Sequence, residues 1–249
     1  MVARMTVLVT GAASGIGNAS ARQLLAAGHD VVAVDLDVQA VRASLKSSNK
    51  EFEPVSADVS REEDCHAAAD RAISRFGKID ALLHWTAKHS RTHWSELTAE
   101  EFNRLLAVNT TGSFLIAQAA ARQMLPRKFG AIVLASSTAV IAGTIGGTAG
   151  SGGPAYVASK AAIIGLVRSL ARALGPSGIR VNGISPGVTD TPMIAAYSTE
   201  NRALQKERVP LGRLAQADEI ASVGTFLISD DARYINGETI IVDGGAAFG

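Results

Sequence analysis

A short apolar run, Thr6-Val-Leu-Val9, passes without a break into Thr10-Gly-Ala-Ala-Ser-Gly-Ile-Gly17, and this join restricts the fold more than any other stretch. A β-branched run with no polar alternation fits a strand buried on both faces, as in parallel sheets covered by helices. The spacing predicts a helix from Asn18 to Ala27, stopped by Gly28, and a second buried strand, Val31-Val-Ala-Val34, closing on Asp35. Together these make one β-α-β unit. Gly11, Gly15 and Gly17 let the backbone turn sharply and approach a ligand. The helix start, with Ser14 and Ile16 in the same turn, presents unpaired N–H groups suited to a pyrophosphate. Asp35, 18 residues after Gly17, stands where a ribose 2′-hydroxyl would be bound. A carboxylate accepts hydrogen bonds from a ribose diol and repels a 2′-phosphate, so the expected dinucleotide is NAD rather than NADP. Ala12 to Ser14 carry no basic residue and Leu36 follows Asp35; Arg42 is the more distant cation.

The same alternation continues. Strands are predicted at Phe52 to Ser56, Ile79 to Leu83, Ala131 to Ala135, Ile179 to Ile184 and Thr239 to Val242. Helices are predicted at Arg61 to Phe76 with Gly77 as stop, from an N-cap at Thr98 to Met124, at Ala155 to Leu174 ended by Gly175-Pro176, and at Asp218 to Ser229. This order predicts an α/β chain: one Rossmann-like domain over residues 1–249, a doubly wound parallel sheet of about seven strands with helices on both faces. Composition agrees, since 249 residues that are 47% hydrophobic and 5% aromatic suit a single core of aliphatic side chains. With 24 basic and 23 acidic side chains, no field favours nucleic acid or an anionic membrane. One cysteine, Cys65, allows no intrachain disulfide, and no secretory leader or run of about 18 apolar residues is read. The expectation is a soluble cytoplasmic protein.

Chemistry concentrates at one sheet edge. Strand five ends on Ser136-Ser137, and a glycine-rich, uncharged segment with Gly143, Gly146, Gly147, Gly150, Gly152 and Gly153 leads to Tyr156-Val-Ala-Ser-Lys160. Tyr156 and Lys160, four apart on a helix, share a face. A phenol with a reference pKa of ~10 is a poor base, and a neighbouring ammonium favours the phenolate. Ser137 can hold the oxygen that gains or loses the proton. Ser185 to Thr191, with Pro186, Gly187 and Val188, is a turn-rich stretch at the same edge, able to hold a ligand by backbone groups. Asp58-Val59 either frames an adenine edge or caps a turn. Asn109 interrupts a helical pattern; it marks a distortion or a buried polar role, or it faces solvent. His84 to Trp94 holds three of the five histidines and both tryptophans, as a surface loop or as a pocket wall. His89 and His93 lie four apart, but without a helical pattern or a carboxylate at ligand spacing no metal is expected. Substrate loops are expected at residues 84–95, 138–155 and 188–216, with Pro192 to Gln216 as a mobile lid.

These ordered motifs, from Thr10–Gly17 through Asp58-Val59, Asn109, Ser137, Tyr156-x-x-x-Lys160 and Pro186-Gly187 to Asp243-Gly-Gly, resemble the classical short-chain dehydrogenase/reductase family over essentially the whole chain. The resemblance implies Tyr156 as general acid/base, Lys160 lowering its pKa while holding the nicotinamide ribose, and Ser137 binding the substrate oxygen. It implies Asn109 as anchor of a water relay to Lys160, and Thr191 with the Val188 backbone on the carboxamide. It also implies cofactor contacts at Leu36 and Thr86, and a homotetramer. Two departures stand out. His84-Trp85-Thr86-Ala87 replaces the usual Asn-Asn-Ala-Gly, and the interval of 19 residues from Ser137 to Tyr156 is long. The implied activity is hydride transfer between NAD and a secondary alcohol or its ketone. The alternatives are a non-catalytic NAD-binding redox sensor, or an epimerase or dehydratase that uses NAD without net turnover. Lys88, His89, Arg91 and His93 offer charge for a distal anion on the substrate, whereas the glycine-rich segment suits a neutral group.

Overall fold

The structure, a computed structural model, describes residues 4–46, 52–90, 92–144, 152–195 and 197–247. Strand β1 (Thr6–Thr10) leads into helix α1 (Gly15–Ala26), followed by β2 (Asp30–Asp35), α2 (Val38–Leu45), β3 (Glu53–Ser56), α3 (Glu62–Phe76) and β4 (Ala81–His84). Next come α4 (Ala99–Leu106), a π-helical turn (Ala107–Thr111), α5 (Gly112–Met124), β5 (Gly130–Ala135), α6 (Ala139–Ala142), α7 (Pro154–Leu174) and β6 (Ile179–Pro186). The chain closes with β7 (Thr189–Asp190), α8 (Thr199–Glu207), β8 (Ala215–Gln216), α9 (Ala217–Ile228) and β9 (Thr239–Val242). The main sheet has seven parallel strands in the order β3-β2-β1-β4-β5-β6-β9; β7 and β8 form a separate two-stranded pair.

The uninterrupted apolar strands follow from burial on both faces. Leu8, Val32, Leu82, Ile132 and Val181 point to one side, against Ala68 and Ala72 of α3, Ile116 and Ala120 of α5, and Ile163 and Val167 of α7. Val7, Val31, Leu83, Val133 and Ile184, an odd number of residues away on the same strands, point to the other, against Leu24 and Leu25 of α1, Val41 of α2, and Ile220 and Leu227 of α9. Alanines on the helices let them approach the sheet closely. Each fully buried Leu or Ile contributes about 1.5–3 kcal/mol of transfer free energy.

Sequence signals set most boundaries. Gly77 ends α3 with φ of 77°, and three acidic residues in that helix's first turn complement its dipole. Thr98 caps α4 by accepting from the Glu101 N–H at 3.2 Å. Where the sequence predicts the first helix from Asn18, α1 begins at Gly15, because the glycine turn itself supplies the first helical residues. The predicted long helix over 98–124 is continuous but contains the π turn centred on Asn109. Residues 192–216, expected as a mobile lid, hold a 3-10 turn (Pro192–Ile194) and α8. Arg91, Gly146, Gly147 and Gly150 lie outside the described residues. Among those described, no helix is long and apolar enough to cross a membrane.

Candidate active site

The strand order reverses between β1 and β4, and the carboxyl ends of the strands flanking that point gather the expected residues. Open α/β sheets leave a crevice there. Gly11 (φ 69°) and Gly15 (φ 55°) adopt a left-handed backbone that only glycine takes at low cost. A Cβ on Gly17 would lie 2.2 Å from the Gly11 carbonyl oxygen, so the turn is closed tightly enough to exclude any side chain there. Ser14 precedes α1 and makes no capping hydrogen bond, which leaves the first-turn N–H groups of Gly15, Ile16 and Gly17 facing outward. Thr191, beyond β6, closes on this turn from the opposite side, its methyl 3.3 Å from where a Gly15 Cβ would be. The set fits a dinucleotide: a side-chain-free cradle, free helix N–H groups, and a carboxylate beyond them. That carboxylate is Asp35, whose Oδ2 accepts from the Ala13 N–H at 3.0 Å and whose Oδ1 accepts from the Asp37 N–H at 3.2 Å. Leu36 beside it is 68% exposed, an apolar surface open to a ligand.

Asp58 takes the turn-capping role. Its Oδ1 accepts from the Ser60 N–H at 2.9 Å and the Ser60 hydroxyl at 2.6 Å, and these bonds hold its carboxyl below the usual range. Val59 packs against Gly112, where a Cβ would come within 2.9 Å of the valine methyl. Pro186 O accepts from the Thr138 N–H, Gly187 N–H donates to Val242 O, and Val188 O accepts from the Ala215 N–H. The stretch after β6 is thereby tied to β9 and β8. Asp243 accepts from the Gly245 N–H at 2.9 Å and the Ala247 N–H at 2.6 Å, turning the chain back toward the crevice.

Tyr156, Ser137 and Lys160 come together at the side of a cavity of about 270 Å³. All three expected loops line it: Trp85, Ala87 and His89 from the first; Thr138, Ala142, Thr144 and Gly152 from the second; Met193, Ile194, Tyr197, Gln205, Arg208 and Val209 from the third. Burial pushes the Tyr156 phenol above its ordinary pKa, while its hydrogen bond with the Ser137 hydroxyl pulls the other way. The expected lowering by Lys160 is not among the causes. Lys160 Nζ instead donates to the Ala135 carbonyl at 2.7 Å and lies 5.9 Å from the centre of the tyrosine ring. Burial brings the Lys160 ammonium down to about 8.

Asn109 is fully buried in the π turn. Its Oδ1 accepts from the Lys88 N–H at 2.7 Å, and its Nδ2 donates to Lys88 O and to Ser159 Oγ, both at 2.9 Å. The asparagine clamps the 84–95 segment to α7 next to Lys160. The π turn is the distortion, and the clamp is the buried polar role, that its sequence position allowed for.

Several contributors have no sequence signal of the usual kind. Gly152 lies flat on Tyr156, for a Cβ there would come 2.5 Å from ring atom Cδ1. His89 also lies against the Tyr156 ring, 4.9 Å between ring centres with the planes tilted by 56°. At the junction after β4 the chain places His84 and Trp85. Thr10 Oγ1 accepts from the Trp85 and Thr86 N–H groups at 3.2 and 3.3 Å, so its own proton goes to His84 Nδ1 at 2.7 Å. The imidazole therefore carries its proton on Nε2, which has no partner among the described residues. Burial, with the Lys160 charge second, drives the His84 pKa down to about 3. Trp85 is buried against Gly224 of α9, where a Cβ would come 2.8 Å from the indole, whereas Trp94 is 62% exposed. His93 pairs with Ser95 and does not line the cavity. Among the described residues no group of three metal-ligating side chains assembles.

A family model described as Enoyl-(Acyl carrier protein) reductase matches residues 11–247. Cis-4-hydroxycyclohexanecarboxylate dehydrogenase of Sinomonas cyclohexanicum is 37% identical, with 98% of this chain and 96% of that protein covered. D-threitol dehydrogenase of Mycolicibacterium smegmatis is also 37% identical, over 96% of this chain and 91% of that protein. A solved structure named short-chain dehydrogenase/reductase, glucose/ribitol dehydrogenase, from Brucella melitensis superposes with a TM-score of 0.90 at 31% identity, covering 98% of this chain and 97% of that one. Seven parallel strands, a glycine cradle at the switch point and a serine–tyrosine–lysine cluster thus coincide with matches along nearly the full length, and the chain belongs to the classical short-chain dehydrogenase/reductase family of oxidoreductases.

Proposed function

We propose that this protein is an NAD-dependent dehydrogenase that interconverts a secondary alcohol and its ketone, with Tyr156 as the general acid/base. The observation that carries the reading is the meeting of Ser137, Tyr156 and Lys160 in one cavity beside the glycine cradle. Gly11, Ser14, Gly15, Ile16 and Gly17 would hold a nicotinamide dinucleotide, which would supply the acceptor or donor of a hydride. The chain's own residues manage the proton and the geometry. Ser137 Oγ holds the substrate oxygen, and Tyr156 Oη takes the hydroxyl proton as the carbinol carbon is oxidised, or returns it to the carbonyl oxygen on reduction. The buried phenol is a strong base once deprotonated, and the Lys160 ammonium, four residues on along α7 and brought down to about 8 by burial, would hold the nicotinamide ribose beside it, while Asn109 fixes the 84–95 segment to α7. Trp85, Ala142, Met193 and Ile194 exclude water from the reacting carbon.

NAD is favoured because Asp35 and Asp37 stand together at the end of β2, with the Asp35 carboxylate already turned toward the glycine turn. A 2′-phosphate there meets like charge, whereas a ribose diol meets acceptors. Thr86 and Val59, with the Asp58 oxygen that its turn cap leaves over, would frame the adenosine half, and Thr191 with the Val188 backbone the carboxamide half. A homotetramer is part of this reading, supported by the exposed apolar side chains Phe226 on α9 and Ile241 on β9; light scattering of the purified chain tests it. The functional test is oxidation of a panel of polyols, hydroxy acids and cyclic alcohols with NAD and with NADP. Stoichiometric NADH formation with at least one alcohol supports the reading. Tight NAD binding with no NADH from any alcohol would favour a sensor or an internally recycling enzyme.

A further inference from the structure

One wall of the cavity comes from the chain between β7 and β8. Met193, Ile194 and Val209 make an apolar lining there, broken by Gln205 in α8 and Arg208 at that helix's C-terminal cap. The charges are one-sided. His89, Lys160 and Arg208 line the cavity, and no aspartate or glutamate does so among the described residues. Lys160 is committed to the Ala135 carbonyl. The Arg208 guanidinium has no ion pair or hydrogen bond among the described residues, whereas two other guanidinium groups of this region are held by carboxylates: Arg202 by Asp190 at 2.9 Å and Arg213 by Glu219 at 2.6 Å. A guanidinium left over at the rim of a cavity lined by no described carboxylate is an anion receptor, because its fork of donors matches a carboxylate and no described side chain is bonded to it.

We propose that the substrate is a hydroxy acid: its secondary alcohol reacts at Tyr156, a short apolar skeleton spans Met193, Ile194 and Val209, and its distal carboxylate is received by Arg208 as the specificity-determining residue. This rests on the dehydrogenase reading above. The cavity of about 270 Å³ is lined in part by Ile16, Pro186, Val188 and Thr191 of the cofactor reading, so the substrate takes only a portion of it and its skeleton is short. His89, tilted against the Tyr156 ring, belongs to the reacting end and not to the carboxylate end. Of the four cations with which the sequence could attract a distal anion, it alone lines this cavity among the described residues, and Arg208 was not among the four.

The experiment compares secondary hydroxy acids of four to seven carbons, open-chain and cyclic, with their methyl esters as substrates of the purified chain with NAD. The wild type is expected to favour at least one acid over its ester by about tenfold in kcat/KM, carried by KM. In Arg208→Gln that ratio falls to near one through a raised KM for the acid, and Arg208→Lys recovers part of it. In parallel, calorimetry measures binding of the matching keto acid and keto ester to the NADH-loaded chain, with the same contrast expected. An acid-to-ester ratio near one in the wild type in both assays, or one that survives Arg208→Gln, overturns the inference. Arg208-dependent keto-acid binding with no turnover of any alcohol would retain the anion site and overturn the dehydrogenase reading instead.

Discussion

His84 gives the sharpest test of the physical account, because a neutral imidazole buried beside Lys160 must refuse a proton that the unfolded chain accepts. The perturbation is His84→Asn, which restores the residue most family members carry there and removes the titrating group. With the folded pKa at about 3 and the ordinary value at 6.5, the unfolded chain binds the extra proton throughout that window. Stability is therefore full above about pH 6.5 and is lost as pH falls toward 3, at about 1.4 kcal/mol per pH unit. Between about pH 7 and about pH 5 this one group costs the wild type about 2 kcal/mol. Urea unfolding of both proteins at the two pH values measures it. Other titrating groups, including His29, whose pKa burial also lowers, are common to both proteins and cancel in the difference. The wild type should lose about 2 kcal/mol more than His84→Asn on acidification. Equal acid sensitivity would show that His84 is not held neutral against the Lys160 charge.

Lys160→Met should abolish turnover yet raise stability at pH 7. The folded ammonium, down at about 8, is disfavoured relative to the unfolded chain at every pH below that value, and the penalty is relieved as pH rises toward 10.5. After the Ala135 hydrogen bond is lost, a net gain of about 1–2 kcal/mol is expected, read as a higher thermal midpoint at neutral pH that shrinks in alkali. Asp35→Ala should raise the NAD dissociation constant by roughly 10–100-fold, as for loss of hydrogen bonds to a charged group, and leave NADP binding unweakened; fluorescence titration with both cofactors reads the switch. Gly152→Ala, which would place a Cβ 2.5 Å from the Tyr156 ring, should lower kcat while NAD affinity stays near that of the wild type.

The fold was largely legible because buried parallel strands and capped helices leave strong local patterns: Val31 to Val34 reads as a strand on its own, and Gly77 ends a helix by its own backbone freedom. The cofactor cradle was legible for the same reason, since Gly11, Gly15 and Gly17 are required by local geometry. What escaped depends on tertiary encounters. Nothing near Arg208 in sequence says that it reaches a cavity shared with a residue 52 positions earlier. Gly152 stood in a run of glycines, and only the fold shows that this one touches Tyr156. The helical spacing of Tyr156 and Lys160 put them on one face, as observed, but it overstated their direct contact: the ammonium reaches over the end of β5 to a carbonyl. His84-Trp85 looked like a defect in a familiar motif. In the fold, Thr10 rebuilds the junction with its hydroxyl and Gly224 makes room for the indole.

The central claim is that Tyr156 transfers the proton in a hydride-transfer reaction, and single-turnover kinetics of Tyr156→Phe test it most directly. With NAD preloaded and the best alcohol of the panel in excess, the rate of NADH formation should fall by about 10²–10⁴-fold while NAD affinity stays near the wild-type value. An undiminished rate in Tyr156→Phe would contradict the account.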